Sequence, residues 1–316
     1  MRKNKKKVFI TGGGGFIGAN LIRKLLMHNY QVHALIRSKK IPWRLQEIKT
    51  QISVHYGDIT NSILLKKILY KIKPDYIIHL ATFGSYPSQV DLNKIITTNV
   101  IGTKNLLEAS KNIPYKRFIN TGSSSEYGFK DKVMKETDFC DPLSYYGLTK
   151  LAATHLCKVF AQMNNKPILT LRPFSVYGPF EEPSRFFPTI IKSLIKNQPI
   201  NLTPGYQRRD FIYVGDVVSA YVKSLQVSLT KNGDVLNIGT GKEYSNDEVV
   251  KKLFDITKQS TNIKKGAYPT RSWDTNHWKA DINKIKKTLK WKPIYSLDEG
   301  LEKMYFWMKK NITFYN

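Results

Sequence analysis

A tyrosine and a lysine four residues apart, Tyr146 and Lys150, could do acid–base chemistry in this sequence. On a helix, positions i and i+4 share a face, so the lysine ammonium would lie near the tyrosine phenol. A nearby positive charge lowers the pKa of a phenol and makes it usable as an acid or a base. Upstream, the hydroxyl-rich run Thr121–Gly128 offers a group that could hydrogen-bond a substrate oxygen. The pattern predicts a proton-transfer site.

The run Thr11–Gly18 (TGGGGFIG) has the glycine spacing GxxGxxG of a dinucleotide-binding turn. Its glycines permit a tight turn and a close backbone approach to a pyrophosphate, and the following helix supplies N–H groups and a positive dipole end. An apolar strand, Val8–Ile10, precedes the run, and an amphipathic segment at 20–28 follows it. The predicted cofactor-binding residues of this loop are Gly12, Gly15, Phe16, Ile17 and Gly18.

The end of the second predicted strand, Val32–Ile36, decides which dinucleotide the sequence favours. An acidic residue there would bind the adenosine ribose 2′-hydroxyl, and this segment has none. Arg37 follows instead, and its guanidinium could pair with a 2′-phosphate. We therefore expect NADP(H) to be preferred, with NAD(H) as the alternative. Asp58, after the third strand, either accepts a hydrogen bond from the adenine amino group or caps the next helix.

Short apolar runs, rich in β-branched residues, alternate with helix-like stretches as far as Arg172. The predicted strands are Val8–Ile10, Val32–Ile36, Ile52–His55, Tyr76–Leu80, Arg117–Asn120, Ile168–Leu171 and, later in the chain, Val235–Ile238. Strands alternating with helices at this interval imply right-handed βαβ units. The predicted fold is α/β, a doubly wound parallel sheet of the Rossmann type, with a smaller, interleaved C-terminal substrate lobe.

The alternation ends after Arg172, where prolines at 173, 179, 183 and 188 interrupt the chain. We expect residues 1–178 to form the dinucleotide-binding domain, with 211–240 returning to it. Residues 179–316 would then form the substrate-binding lobe.

Composition restricts the classes of partner. The 316 residues carry 51 Lys+Arg and 24 Asp+Glu, a net charge of +27, but the lysines are spread along the chain without a nucleic-acid-binding module. We expect no nucleic-acid partner. The apolar runs are too short to span a membrane or to form a signal peptide, so we expect a cytoplasmic protein without a membrane partner. Two cysteines and no Cys/His cluster predict neither disulfides nor a metal site.

Ten motifs in order make the chain resemble the extended short-chain dehydrogenases/reductases, the NAD(P)-dependent nucleotide-sugar epimerase, dehydratase and reductase family. They are TGGGGFIG at 11–18, GDIT at 57–60, HLAT at 79–82, NVIGTKNLLEA at 99–109, SSSEYG at 123–128, YYGLTK at 145–150, LRPFSVYGP at 171–179, RRDFIYVGD at 208–216, NIGTG at 237–241 and LKWKP at 289–293. The resemblance covers nearly the whole chain.

The resemblance implies a role for each matching position. Tyr146 would be the catalytic acid/base, Lys150 would lower its pKa and hold the nicotinamide ribose, and Ser123 would hydrogen-bond the substrate. The remaining cofactor-binding positions would be Asp58, Ile59, Leu80, Ala81, Thr82 and Asn99.

The substrate implied by the resemblance is a nucleotide-diphosphate sugar. Arg209 and Arg271 match arginines that hold the diphosphate, for which guanidinium groups are well suited. Ser124 and Arg185 are further substrate-binding candidates. Trp278 lies either in the substrate pocket or in the core.

The family that the chain resembles leaves three reactions open: dehydration, epimerisation and net reduction. Dehydratases usually follow the Ser123 position with an Asp-Glu pair, but here Ser124 and Ser125 follow, and Glu126 comes one position later. Epimerases usually carry the acidic ribose contact. We therefore expect NADPH-dependent reduction of a nucleotide-linked 4-keto-6-deoxy sugar at C4, in deoxysugar or surface-polysaccharide biosynthesis, with NAD-dependent nucleotide-sugar 4-epimerisation as the alternative. A protein on this fold could also bind NADP without catalysing a reaction. The presence of Ser123, Tyr146 and Lys150 favours an enzyme over that alternative.

The resemblance also implies a homodimer. The helices around Thr103–Ser110 and Tyr146–Ala161 match those of the family's four-helix interface. The apolar side chains available there are Leu106, Leu107, Leu151 and Ala152, and burial in the core is the alternative for them.

Overall fold

The computed structural model describes residues 5–202, 204, 207–228, 232–267 and 277–315. Its strands are β1 (Lys7–Thr11), β2 (Gln31–Ile36), β3 (Ser53–Tyr56), β4 (Tyr76–His79), β5 (Arg117–Thr121), β6 (Ile168–Pro173), β7 (Ser175–Tyr177), β8 (Ile200–Asn201), β9 (Arg208–Arg209), β10 (Phe211–Tyr213), β11 (Asp234–Ile238), β12 (Tyr244–Ser245) and β13 (Ile263–Lys264).

The α-helices are α1 (Phe16–Met27), α2 (Ser62–Ile72), α3 (Leu92–Ile96), α4 (Gly102–Ser110), α5 (Tyr145–Met163), α6 (Phe186–Ile195), α7 (Val214–Ser224), α8 (Asn246–Thr257), α9 (Asn283–Leu289) and α10 (Leu297–Lys310). A π-helical turn (Thr97–Ile101) joins α3 to α4, and 3₁₀ segments occupy Trp43–Gln51, Ser124–Glu126 and Ile312–Tyr315.

Seven parallel strands form the central sheet, in the order β11-β6-β5-β4-β1-β2-β3. Ile10 of β1 lies opposite Ala34 of β2 on one side and opposite Ile78 of β4 on the other. The chain runs outward from β1 to β3, returns to β4, and then runs outward again to β11. In doubly wound sheets, ligands bind at the carboxyl ends of the strands where this reversal occurs. The predicted Rossmann-type sheet is confirmed, with all seven predicted strands in it.

Alternation along the strands directs side chains into a separate core on each face of the sheet. Val8 and Ile10 of β1 point to one face, where α1 and α7 supply Leu21 and Val217 among others. Phe9 points to the other face, which is covered by α2, α4 and α5. Because both faces are buried, the strands are continuous apolar runs, as parallel strands usually are.

A third core lies outside the central sheet. It is formed by α6, α8, α10 and β10, with Ile191, Leu253 and Leu301 fully buried. All of its fully buried members lie between residues 177 and 315. β11, within the predicted return at 211–240, joins the central sheet. The division into domains at residue 178 stays a prediction.

Two kinds of feature are absent from the described residues. None of their helices is both long and apolar enough to cross a membrane. Among the same residues, no three or more His, Cys, Asp or Glu side chains form a group that could hold a metal ion.

A histidine pair joins the two strands at the β3 edge of the sheet. His33 Nδ1 and His55 Nε2 are 3.1 Å apart, and the two rings are stacked with centroids 5.4 Å apart. Burial, the neighbouring His55 and the charge of Lys7 together lower the pKa of His33 to about 4. The native protein therefore keeps His33 neutral at pH values where an unfolded chain would protonate it.

We predict that the free energy of unfolding decreases as the pH falls from about 6.5 towards 4. In this window the unfolded chain binds a proton at His33 that the native state does not, and each such proton changes stability by up to about 1.4 kcal/mol per pH unit. Urea unfolding from pH 4 to 8 measures the slope. His33→Asn should reduce the slope of unfolding free energy against pH by the contribution of about one proton. Comparison at pH 8, where His33 is neutral in both states, separates a general loss of stability from the loss of slope. An unchanged slope in His33→Asn would contradict this account.

Candidate functional site

The glycine loop is pressed between the end of β4 and the start of α1. Gly12 has φ +71°, and a Cβ on it would come within 2.4 Å of the Leu80 carbonyl carbon. A Cβ on Gly18 would come within 2.4 Å of the Gly12 oxygen. Both positions therefore require glycine, one to place the turn against β4 and the other to place α1 against the turn.

The amino terminus of α1 is open to a ligand. Gly15 occupies the N-cap position, so within the described part of the chain the helix has no side-chain cap. A Cβ on Gly15 would have only the Gly12 oxygen within 4 Å, at 3.3 Å. The backbone N–H groups that follow Gly15, with the positive end of the helix dipole, suit an anionic group. The arrangement fits the pyrophosphate of a dinucleotide.

His79 connects the end of β4 to its neighbours. Its Nδ1 lies 2.7 Å from Thr11 Oγ1, and its Nε2 lies 2.9 Å from Thr103 Oγ1. Burial lowers its pKa to about 3, and the charge of Lys150 contributes. The ring is therefore neutral and acts as a hydrogen-bonded core residue. The Thr11 hydroxyl also accepts a bond from the Ala81 N–H at 3.3 Å, so β1 and β4 are joined where the cofactor candidates lie.

Asn99 lies in the π-helical turn and holds the loop after β4. Its Oδ1 accepts bonds from the Thr82 hydroxyl at 3.1 Å and the Phe83 N–H at 2.9 Å. Its Nδ2 donates to the Thr149 hydroxyl at 2.9 Å. Thr149 lies on α5 between Tyr146 and Lys150, so this buried amide connects the loop to the helix of the acid–base pair. π-turns of this kind occur often at functional sites.

Ser123, Tyr146 and Lys150 converge at the carboxyl end of β5. Lys150 is 4% exposed, and Tyr146 is partly buried. Burial raises the pKa of Tyr146, while a side-chain hydrogen bond with Ser123 and the charge of Arg185 oppose the rise. Burial lowers the pKa of Lys150, and the carboxylate of Glu126 opposes that decrease. The predicted three residues are therefore brought together in one site.

Glu126 is part of this site as a buried ion pair. Its Oε1 accepts the Ser123 N–H at 2.7 Å, and its Oε2 accepts Arg172 Nε at 2.8 Å. Burial raises the pKa of Glu126, while Arg172 and the Ser123 N–H oppose the rise. The sequence interpretation did not identify this pair. β5 and β6 are neighbours in the predicted sheet. The opposite charges of Glu126 and Arg172, near the carboxyl ends of these strands, were the sequence signal that could have predicted the pair.

Three cofactor candidates on the β2–β3 side have different surroundings. Arg37 is exposed beyond β2. Asp58 Oδ1 accepts the Thr60 N–H at 2.9 Å and the Thr60 hydroxyl at 2.8 Å. The suggested capping role of Asp58 is wrong, because Asn61 caps α2 by accepting the Leu64 N–H at 2.9 Å. Ile59 is buried against α4, so its side chain is a core residue.

The substrate candidates Ser124 and Arg209 meet at Trp278. The indole Nε1 donates to Ser124 Oγ at 2.9 Å, and the Arg209 guanidinium carbon lies 5.4 Å from the ring centroid. Asp210, which is fully buried, receives four hydrogen bonds from Thr240, Gly241 and Ala280 and fixes the strand end beside Arg209.

Arg185 lies on the other side of the acid–base pair. It is exposed at the N-cap of α6, and its guanidinium carbon lies 5.1 Å from the Tyr86 ring centroid. Its charge acts on Tyr146 and opposes the rise that burial causes in the pKa of that phenol. Tyr86 was not identified from the sequence, although it follows the HLAT motif at the carboxyl edge of the sheet. Arg271 lies outside the described residues.

Comparison with known proteins agrees with this arrangement. The model of the NAD dependent epimerase/dehydratase family matches residues 8–239. A putative UDP-glucose 4-epimerase of Methanocaldococcus jannaschii is 31% identical over 314 residues, covering 96% of this chain and 99% of that protein. The UDP-glucuronate 4-epimerase of Thermodesulfobacterium geofontis is 29% identical, with 96% of each chain covered.

Two solved structures are similar over nearly their whole length. The UDP-glucuronic acid 4-epimerase of Bacillus cereus, in complex with UDP-glucuronic acid and NAD, has a TM-score of 0.88 at 32% identity, covering 96% of this chain and 99% of that one. The UDP-glucose 4-epimerase of Thermotoga maritima, with UDP-glucose, has a TM-score of 0.88 at 27% identity, covering 97% and 99%.

The glycine loop, the uncapped helix and the acid–base pair thus occur on a fold and sequence shared with nucleotide-sugar enzymes. The chain belongs to the NAD dependent epimerase/dehydratase family of the extended short-chain dehydrogenases/reductases and is an enzyme of that oxidoreductase type.

Proposed function

We propose that this protein is an NAD(H)-dependent 4-epimerase of a uridine-diphosphate sugar. The observation that carries the proposal is the convergence of Ser123, Tyr146 and Lys150 at the carboxyl end of β5, in a sheet whose β1 leads into the glycine loop and the uncapped amino terminus of α1. Relatives named as UDP-sugar 4-epimerases support the reaction and the substrate class. They favour epimerisation over net reduction of a 4-keto sugar, the main expectation from the sequence.

In the proposed reaction, Tyr146 takes the proton from the sugar 4-hydroxyl and later returns it. When bound, NAD supplies the acceptor and donor of hydride. Ser123 hydrogen-bonds the same sugar oxygen, which orients it and stabilises negative charge as it develops. Lys150 contributes a buried positive charge that favours the phenolate of Tyr146. Each residue acts in both halves of the reaction, because the 4-keto sugar must be reprotonated when it is reduced again.

The carboxylate arrangement supports this choice over dehydration. Elimination needs an acid and a base near the sugar, and residues 124 and 125 are serines. The carboxylate that follows them in the chain, Glu126, is fully buried and directed toward Arg172 and the Ser123 backbone. A carboxylate held in this way is not available for a sugar carbon.

We place the diphosphate of the substrate near Arg209 and the sugar between Tyr146 and Arg185. Ser124 is held by the Trp278 indole at 2.9 Å and would border the sugar. Arg271 remains the predicted second diphosphate ligand. The Arg185 guanidinium contacts the Tyr86 ring, and its N–H groups make no hydrogen bond or ion pair among the described residues, so we propose them as donors to an anionic or hydroxylated ligand.

Replacing Tyr146 with phenylalanine removes the proton-transferring hydroxyl and keeps the ring. We predict a fall in kcat of about two to four orders of magnitude with NAD affinity retained, since general acid–base catalysis contributes about that much. A coupled assay of UDP-glucose and UDP-galactose interconversion measures the rate, and fluorescence titration measures NAD binding. UDP-glucuronic acid is tested in parallel.

Two further variants make this test specific. Lys150→Ala should lower kcat and weaken NAD binding, because its ammonium is expected to serve both Tyr146 and the ribose. Ser123→Ala should reduce kcat less than Tyr146→Phe, since one hydrogen bond contributes about 1 kcal/mol. Near-normal epimerisation by Tyr146→Phe would overturn the assigned mechanism.

The identity of the cofactor is tested at Arg37. NAD-bound relatives favour NAD(H), whereas the guanidinium of Arg37 led to the sequence prediction of NADP(H). We predict that NADH binds at least as tightly as NADPH, as measured by two fluorescence titrations. Arg37→Ala should change NADH affinity by less than about twofold, because NADH lacks the phosphate that the guanidinium would pair. Binding of NADPH more than tenfold tighter than NADH, lost in Arg37→Ala, would establish the NADP(H) alternative.

We propose a homodimer formed through α4 and α5. Of the apolar residues that the sequence offered either for this surface or for the core, Leu106 and Leu107 are buried in the core. Leu151 and Ala152 are partly buried. Four exposed apolar side chains of α5 take their place: Tyr145, Leu148, Val159 and Met163, the last of them 80% exposed.

We predict a dimer by light scattering at micromolar concentration. The double variant Val159→Lys with Met163→Lys should shift the mass towards 36.4 kDa, because two charges would be buried on association. Met27→Lys, at an equally exposed methionine of α1, is the matched control and should remain dimeric. A monomeric wild-type protein would count against the interface.

A further inference from the structure

The carboxylate of Glu126 lies directly beneath the backbone that carries Ser123. It is 0% exposed, and a Cβ on Gly122 would come within 2.5 Å of its Oε1. The Ser123 N–H donates to Oε1 at 2.7 Å, Arg172 Nε donates to Oε2 at 2.8 Å, and Arg172 Nη2 lies 2.7 Å from Oε2 as an ion pair. Two N–H donors and the adjacent guanidinium charge favour the ionised carboxylate.

This carboxylate fixes the direction of the Ser123 side chain. Ser123 and Glu126 form a capping box, in which the Ser123 hydroxyl accepts the Ser125 N–H at 3.1 Å while Glu126 accepts the Ser123 N–H. Both the backbone and the hydroxyl of Ser123 are therefore held at the start of the 3₁₀ segment. A hydroxyl held in this way needs little reorganisation to meet a sugar oxygen.

Arg172 is itself held in place. Its guanidinium carbon lies 4.8 Å from the Tyr127 ring centroid, and the Tyr127 hydroxyl donates to Asn237 Oδ1 at 2.7 Å. Tyr127, the residue that follows Glu126, thereby connects Arg172 of β6 with Asn237 of β11. Arg172 thus contacts both Glu126 and Tyr127, and Tyr127 is anchored to β11.

The negative charge of Glu126 also acts on the acid–base pair. It raises the pKa of Tyr146 and opposes the decrease that burial causes in the pKa of Lys150. Arg185 acts on Tyr146 with the opposite sign, and Tyr86 raises its pKa. The protonation of Tyr146 therefore depends on a balance of charges to which Glu126 contributes.

We propose that Glu126 is a positioning residue for the reaction: clamped by Arg172, its carboxylate holds Ser123 against Tyr146 and counterbalances the charge of Lys150. The catalytic part of this assignment rests on the proposed function. The effect of the Glu126 charge on Tyr146 does not depend on the substrate, so it is measured separately.

Titration of Tyr146 in the full-length protein with NAD bound is the first measurement. Tyrosine labelled with ¹³C at Cζ reports the ring, and Tyr146→Phe assigns the signal. Glu126→Gln keeps an acceptor for the Ser123 N–H but removes the charge, so the pKa of Tyr146 should fall by about one unit. Glu136→Gln is the matched control, because Glu136 also accepts a backbone N–H, from Asn237 at 2.8 Å. It should leave the titration of Tyr146 unchanged.

The second measurement is the pH dependence of epimerisation, with UDP-glucose as the probe. Glu126→Gln should move the acid limb of the kcat profile to lower pH, in parallel with Tyr146, and reduce kcat about tenfold with KM changed by less than about twofold. A merely structural role would lower thermal stability without moving either titration. Since Gln leaves Arg172 unpaired, Glu126→Gln with Arg172→Met provides a second variant without an unpaired buried charge. It should shift the titration in the same direction.

An unchanged titration of Tyr146 in folded Glu126→Gln and in the double variant would overturn the proposal. If the titration shifts but the wild-type protein does not epimerise UDP-glucose or UDP-glucuronic acid, the proposed function fails and the charge effect of Glu126 stands. If the wild-type protein epimerises the substrate but the titration does not shift, the positioning role fails and the proposed function stands.

Discussion

The close approach of the Gly12 backbone to the end of β4 is the constraint on which the rest of the site depends. With no room for a Cβ between Gly12 and Leu80, the ends of β1 and β4 lie side by side, and Thr11 reaches His79. From His79 the hydrogen bonds continue through Thr103 to the carbonyl of Asn99, at 2.9 and 2.6 Å. The glycine turn that would receive the pyrophosphate is therefore connected to the residues that would orient the substrate.

Burial makes this connection rigid and also determines its charge. Lys150 and Glu126 lie almost out of contact with water, where an unpaired ion would be very unfavourable. The carboxylate is paired with Arg172 and the neighbouring His79 is neutral, so Lys150 leaves the site with a net positive charge. In such a site the addition of a substrate diphosphate or a positively charged nicotinamide changes the balance strongly, because few water molecules remain to screen it. Proton transfer at Tyr146 would then respond to ligand binding.

Sequence patterns predicted the parts of this site that depend on local spacing. The seven strands were predicted because β-branched runs buried on both faces have a clear signature. Tyr146 and Lys150 were predicted to share a face because α5 carries them one turn apart. The glycine loop was predicted because its neighbours were a strand and a helix.

The features that were missed depend on contacts between distant parts of the chain. Arg172 meets Glu126 across 46 positions, and Trp278 meets Ser124 across 154. No periodicity encodes such pairs. The sequence left Leu106 and Leu107 open between an interface and the core because an apolar helix residue can face either one, and only the packing against α2 and α5 distinguishes the two. Asp58 and Asn61 are both good capping residues, and the exact start of α2 decided between them.

A shift of one residue in the position of a carboxylate separates the reactions available to this fold. At position 124 or 125, a carboxylate would follow Ser123 directly, where the resembling dehydratases place their elimination residues. At position 126, the 3₁₀ turn directs the side chain back beneath Ser123, where Arg172 receives it. In the proposed role, the same functional group would act on the Ser123 and Tyr146 hydroxyls instead of on the substrate. Because a bound dinucleotide would supply the hydride chemistry in either case, the register of a three-residue turn would favour the proposed reversible oxidation at one carbon over elimination.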